Sequence, residues 1–291
     1  MATPREWWQG ARPRTLPAAI APVAVGAGLG VHAGAFDAVR VILALGVAVL
    51  LQVGVNFAND YSDGIRGTDT VRVGPVRLVG QELASPRAVR TAAYLSLFGA
   101  AVLGLVLVIL TRQWWLIGVG VACIAAAWLY TGGPRPYGYA GLGEVFVFLF
   151  FGPVPVIGTA YVQTLTITST DVLASLGVGM LICAILVTNN LRDIPGDSRV
   201  GKRTLAVRLG DERTRMLYAA LVTGALAAPV LLVPATSALI VLTSATGLLA
   251  IAPLRTVLGG AEGPRLIPAL TGTSVLVLAY GLVLGLLLAV A

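Results

Sequence analysis

Charge is what this chain has little of. Only 11% of its 291 residues are Asp, Glu, Lys or Arg, where a soluble domain carries about 25%. That leaves too little polar surface to cover a water-soluble globule, and so apolar a chain is not a disordered one either. Two cysteines exclude a disulfide scaffold. Cys123 and Cys183 stand within apolar runs and read as buried structural thiols. The single histidine, His32, lies near the end of an apolar run and argues against a histidine-based metal site or proton relay. Lysine is almost missing: Lys202 is the one Lys among twenty basic residues.

Apolar residues fill the space that charge leaves. AVILMFWYC make up 57% of the chain, and the mean hydropathy is +0.89. Thirty-five glycines suit packed membrane helices, where small residues let backbones approach. A transmembrane helix needs about 20 mostly apolar residues. Nine such runs occur, at about 15–33, 38–58, 91–111, 113–130, 141–161, 172–191, 216–234, 237–254 and 266–290. The expected fold is therefore all-α: a polytopic membrane protein with nine transmembrane helices in one bundle, a single domain over 1–291. Arg112 and Gln113 alone separate two runs, which predicts a tight hairpin, and Pro153 with Pro155 predicts a kink in the fifth. The first residues lack an early apolar core with a small-residue cleavage site, so no signal peptide is expected.

The formal charge of +7 would suggest nucleic acid as a partner in a soluble domain. In a bilayer it points instead to loops facing anionic lipid, and nucleic acid is set aside. With the N-terminus in the cytoplasm, eighteen of the twenty basic residues fall on the cytoplasmic side, leaving only Arg40 and Arg112 outside. The expected location is a bacterial cell membrane.

Acids gather on that same side, in two matched clusters. One reads Asn56-Phe-Ala-Asn59-Asp60-Tyr61-Ser62-Asp63, at the end of the second run. The other reads Asn189-Asn190-Leu-Arg192-Asp193-Ile-Pro195-Gly196-Asp197, at the end of the sixth. Each has Asn four residues before an Asp and a second Asp three or four residues on, spacings that stack polar groups on one helix face. Capping would account for either cluster alone. Two at the same membrane boundary, each followed by a Gly- and Arg-containing segment, look like one unit used twice. Four converging carboxylates repel unless a cation joins them. Hard oxygen donors suit Mg²⁺, with phosphate oxygens completing its shell, and neighbouring Arg and Lys add charge-assisted contacts. The pattern fits a diphosphate held between two acidic helix ends, with apolar spans beside it for a long hydrocarbon tail.

These motifs resemble those of the UbiA superfamily of intramembrane aromatic prenyltransferases. Gly10-Ala-Arg-Pro-Arg-Thr-Leu-Pro17, Asn59 to Asp69 and Asn190 to Asp197 are most similar to the branch that prenylates 1,4-dihydroxy-2-naphthoate in menaquinone biosynthesis. Thr131 to Tyr139 and Leu205 to Gly210 extend the likeness along the chain. The superfamily's first motif often places a third acid where Gly67 stands here; the nearest acid is Asp69.

The resemblance implies an enzyme with Mg²⁺ as cofactor and with polyprenyl diphosphate, 1,4-dihydroxy-2-naphthoate and membrane lipid as partners. Asp60, Asp63, Asp193 and Asp197 would hold two Mg²⁺ ions on the donor's diphosphate, oriented by Asn56, Asn59 and Asn189. Lys202, Arg203 and Arg66 would neutralise the leaving group as the allylic C–O bond ionises. The cation would alkylate the aromatic ring with loss of CO₂, shielded from water inside the bundle. Tyr137 and Tyr139 would line the acceptor pocket or face the cation, and Arg12 and Arg14 would reach the acceptor's carboxylate. Trp7 and Trp8 read as interface anchors. A secondary transporter is the competing class, but its ionisable groups would cluster near the bilayer midplane rather than at span ends. A CDP-alcohol phosphotransferase would need Asp-Gly-x-x-Ala-Arg, and Asp63-Gly64 is followed by Ile-Arg-Gly-Thr.

Overall fold

The computed structural model describes residues 2–67 and 76–291, and every described regular element is helical. Lipid cannot hydrogen-bond the backbone, so a spanning segment must satisfy its N–H and C=O groups within itself, which a helix does. Twelve α-helices follow in order: α1 (Pro4–Gly10), α2 (Pro17–His32), α3 (Ala38–Ile65), α4 (Pro86–Thr111), α5 (Leu116–Leu129), α6 (Gly143–Phe151), α7 (Pro153–Thr164), α8 (Ser169–Arg199), α9 (Leu205–Leu209), α10 (Asp211–Ala227), α11 (Ile251–Leu258) and α12 (Ile267–Val290). Turns of 3₁₀ helix at Ala228–Ala235 and Ala238–Ala250 link α10 to α11.

Among the described residues, seven helices are long and apolar enough to cross a membrane. They comprise five of the expected runs as α3, α4, α6 with α7, α8 and α12, plus Asp211–Ala235 and Ala238–Leu258. The other two runs form shorter helices. α2 joins the preceding Pro4–Thr15 segment at a bend of 49°, and α5 has 14 residues, fewer than the roughly 20 of a full span. The fifth run breaks at Gly152, between α6 and α7, where Pro153 opens the second half. At the tight hairpin, Arg112 closes α4 in the left-handed region (φ 56°), which spares a longer loop.

α8 is the spine, with 61% of its most apolar window buried against 11% for α3. It packs on α10, α6, α12 and α7. α2 crosses α12 so closely that a Cβ on Gly28 would stand 2.1 Å from the carbonyl oxygen of Gly285. Association of helices in lipid rests on this kind of close packing, because lipid tails are as apolar as the side chains. A smaller cluster lies where α1 meets the end of α3: Trp7 packs edge-on to Phe57 at 5.7 Å, and Leu78 is fully buried beside Gly10. Trp7 therefore fastens α1 to α3, while Trp8 is 59% exposed.

Acids at the starts of helices have a different duty from those at the ends. Asp37 caps α3 by accepting from Arg40 N–H, and Asp171 closes a capping box with Thr168 at the start of α8. The acid clusters sit at the opposite ends of these same two helices.

Candidate active site

One cavity of about 610 Å³ runs between α2, α3, α4, α5, α6, α7 and α8. Most of its wall is Ala, Val, Leu, Ile and Phe. At one end the wall changes character and carries Asn59, Asp63, Asn189, Asn190, Asp197 and Lys202. Residues from the ends of α3 and α8 thus share a single chamber. Arg12, Arg77 and Arg192 line it too, so four cations face two carboxylates among its described lining residues. A chamber of that balance favours a polyanion at one end and a hydrocarbon along the rest.

The polar end is fastened by contacts between distant segments. Lys202 Nζ lies 3.3 Å from Asp63 Oδ1 and 4.4 Å from the centre of the Tyr139 ring. Both partners of this ion pair are buried, so the surrounding hydrogen bonds must offset their desolvation. Tyr139 donates its O–H to the same Asp63 oxygen. Burial raises the Tyr139 pKa, and the negative charge of Asp63 raises it further against the opposing Lys202. Tyr139 is therefore an O–H donor throughout the neutral range. Arg66, exposed at the end of α3, donates to the carbonyls of Thr131 and Gly133 and stands 5.4 Å over the Tyr139 ring. Thr131 Oγ in turn donates to Asn59 Oδ1 at 2.8 Å. The 131–140 loop is thereby tied to the α3 cluster.

Each expected residue has a definite place. Asp63 and Asp197 line the cavity; Asp60 and Asp193 are not among its described lining residues. Asp60 is fully buried and uses both oxygens on backbone N–H groups, Leu78 at 2.7 Å and Val79 at 3.2 Å. It anchors the loop that precedes α4. Asp193 meets Arg192 in a two-point pair, Nε to Oδ1 at 2.8 Å and a terminal nitrogen to Oδ2 at 2.9 Å. Asn56 and Asn189 line the cavity, and so does Arg12. Arg14 and Arg203 are exposed and lie away from it; Arg203 contributes its backbone N–H to the Tyr139 carbonyl at 3.0 Å. Tyr137 lines the chamber, stacked on Phe146 at 4.2 Å, with its O–H given to the Ala126 carbonyl. Asp69 lies outside the described residues. Among the described residues, no group of three or more His, Cys, Asp or Glu side chains is gathered as a ready metal cluster. A cation here would draw on carboxylate and amide oxygens together.

Comparison with known proteins shows the family. The profile of the UbiA prenyltransferase family matches residues 19–259. The chain belongs to the UbiA prenyltransferase family. A 1,4-dihydroxy-2-naphthoate octaprenyltransferase of Mycobacterium tuberculosis is 53% identical over 284 residues, covering 97% of this chain and 96% of that one. The Escherichia coli protein of the same name is 39% identical over 226 residues, covering 76% and 73%. In fold, the chain is similar to a UbiA homolog from Archaeoglobus fulgidus bound to DMAPP and Mg²⁺, with a TM-score of 0.67 at 16% identity over 96% of this chain and 99% of that one.

For this UbiA-family member, several wall residues escape a reading by motif. Arg77 and Arg192 count, in the sequence, as charges that keep loops on one side; both are buried in the cavity wall. Asn190 is next to the spaced Asn189, and its amide nitrogen donates to Glu144 Oε1 at 2.8 Å. Glu144, an acid within an apolar run, was the available signal, since ionisable residues inside membrane segments are retained for a reason. Gln52 is another: it extends the Asn56-to-Asp63 face by one more turn.

Proposed function

We propose that this UbiA-family protein transfers a polyprenyl group from polyprenyl diphosphate to 1,4-dihydroxy-2-naphthoate, releasing diphosphate and CO₂. The observation that carries the reading is the single chamber, cationic and amide-lined at one end and apolar along the rest. The names of the two relatives supply the aromatic acceptor, and the ligands of the Archaeoglobus protein supply the donor class.

The donor's diphosphate lies at the polar end, and Lys202, Arg77 and Arg192 meet its charge. Asp63 and Asp197, with the amide oxygens of Asn59, Asn189 and Asn190, form a set of hard donors that fits Mg²⁺. Mg²⁺ bound there supplies charge neutralisation to the departing diphosphate. Asp60 supports the wall from behind. Arg192 lines the chamber and would pair with a phosphate oxygen there, and Asp193, its present partner, would be a further carboxylate able to hold Mg²⁺. The isoprenoid tail occupies the apolar length. Tyr139, held as a neutral phenol by Asp63, and Tyr137 present ring faces near the reacting carbon. Arg12 meets the acceptor's carboxylate. Burial of the chamber keeps water from the allylic cation until the ring captures it.

In the membrane, α2 and α5 complete a nine-segment bundle with the N-terminus and the polar end of the chamber on the cytoplasmic side. Residues 1–291 act as one domain. The test is direct: purified protein is incubated with Mg²⁺, 1,4-dihydroxy-2-naphthoate and prenyl diphosphates of several lengths, and the product is weighed by mass spectrometry. The expected product is the prenylated ring less CO₂. Absence of a Mg²⁺-dependent prenylated product with every donor would overturn the reading.

A further inference from the structure

α3 carries a polar stripe on one face. Gln52, Asn56, Asn59 and Asp63 follow one another at intervals of four, three and four residues, the period that stacks side chains turn upon turn. All four line the chamber. At about 1.5 Å per residue, Gln52 lies about 16 Å along the helix from Asp63. Its wall-lining neighbours on α3, Ala48, Leu51 and Val55, are apolar.

Hydrogen bonding around Gln52 leaves one acceptor over. Thr15 commits its only hydroxyl proton to the Arg12 carbonyl at 2.8 Å. Its oxygen must then accept, and it does so from Gln52 Nε2 and Asn56 Nδ2, each at 2.9 Å. Asn56 Nδ2 also reaches the Ala11 carbonyl at 2.9 Å, and Gln52 Nε2 approaches Asn56 Oδ1 at 3.5 Å. These partners fix both amides with nitrogen toward Thr15. Gln52 is 6% exposed, and its Oε1 is buried with no donor among the described residues. A buried acceptor left in this state calls for a missing partner.

We propose that Gln52 Oε1 accepts a hydrogen bond from a ring hydroxyl of the aromatic acceptor, and so selects hydroxylated rings over rings that lack that group. The inference rests on the prenyl-transfer reading and adds a specificity residue to it. The missing partner must be a hydrogen-bond donor and must fit an apolar stretch of wall. It must also lie within reach of the carbon attached to the diphosphate. A phenolic O–H on a flat ring meets all three requirements. The isoprenoid tail has no donor to offer. Thr15, whose hydroxyl proton goes to the Arg12 carbonyl, accepts from Gln52 Nε2 and so holds the amide in the accepting orientation.

The experiment compares 1,4-dihydroxy-2-naphthoate with 1-hydroxy-2-naphthoate and 4-hydroxy-2-naphthoate, in wild type and in Gln52→Met. Methionine keeps the length and apolar fit while removing the acceptor. Intrinsic reactivity of each ring is common to both proteins and cancels in the comparison. The expected result is that the kcat/KM preference for the dihydroxy ring over one of the two analogues falls about tenfold or more in Gln52→Met. The KM for prenyl diphosphate should stay within about twofold, a separation that general disruption of the fold would not give. Unchanged preferences for both analogues overturn the proposal. Should Gln52→Met not fold, binding of the three rings to wild type decides: one analogue at least about tenfold weaker supports it, and equal affinities for all three overturn it. A wild type that prenylates none of the rings fails the functional reading itself, and the role of Gln52 falls with it.

Discussion

The ends of α3 and α8 carry the same Asn-x-x-x-Asp spacing and fasten it in different ways. At both ends the second acid, Asp63 or Asp197, lines the chamber. The first acids are the ones that differ. Asp60 is gripped by the Leu78 and Val79 backbone amides, so moving it would strip two buried N–H groups of their acceptor. Asp193 is met by the guanidinium of Arg192, a side chain that itself lines the chamber. One carboxylate is therefore held by backbone amides and the other by a side chain of the chamber wall. The Asn residues differ likewise: Asn59 accepts from Thr131, whereas Asn190 donates to Glu144. Repeated sequence spacing sets where side chains lie on a helix, while the segments that pack against them set what each side chain does.

Substitutions at the four acids test this contrast most severely. Asp63→Ala and Asp197→Ala should each lower prenyl transfer by about 10²-fold or more, with folding in detergent retained. Near-wild-type turnover in either would remove that acid from the active chamber. Chelation by EDTA should likewise reduce transfer to background, with recovery on adding Mg²⁺; full activity in the chelator would discard the cation. Asp60→Ala should act chiefly on stability, at a cost of about 2–4 kcal/mol for two orphaned N–H groups, seen as a lower thermal midpoint. Asp193→Asn, which keeps an oxygen for buried Arg192 to donate to, should instead lower activity with a smaller drop in the midpoint. The reverse outcome, a strongly destabilised Asp193→Asn and a stable but inactive Asp60→Ala, would invert the comparison.

Smaller effects should follow at Tyr139. Because burial and Asp63 raise its pKa above the ordinary 10.0, the neutral phenol is favoured in the folded protein. Its contribution to stability is fully present below that ordinary value and is lost only as pH rises through the raised one. Thermal midpoints measured from neutral pH upward should hold to about pH 10 and then fall. Tyr139→Phe should remove this particular alkaline decline and lower turnover by roughly tenfold or less, the range of one hydrogen bond. A wild-type decline identical to that of Tyr139→Phe would show that the phenol does not set it.

Much of the molecule was legible as sequence for plain reasons. Long runs of apolar residues in lipid have one economical backbone state, so the runs appear as helices. Pro153 marked a break, which falls at Gly152 beside it. The lengths of α2 and α5 were less legible, because hydropathy alone does not record where Arg12 and Pro13 bend the chain or where the Arg112 hairpin ends. At the site, the stripe from Asn56 to Asp63 followed from helical period. Arg77 and Arg192 did not, since a charge counted in a loop looks the same whether it meets lipid, water or a buried wall. Arg14 and Arg203 stand beside motifs in the sequence, yet both are exposed and neither is among the chamber's described lining residues.

The sequence by itself determined that this is a multi-pass helical membrane protein and that two of its helices end in acid-bearing clusters of matched spacing. These follow from transfer energies and from helical period, which are local properties. Only the tertiary structure decided that Asp63 and Asp197 line a common chamber while Asp60 bonds a loop 18 residues away. It also decided that Gln52 keeps an acceptor without a donor among the described residues. Each of those outcomes depends on which distant group fills a side chain's hydrogen-bonding capacity, and that pairing exists only once the helices have packed.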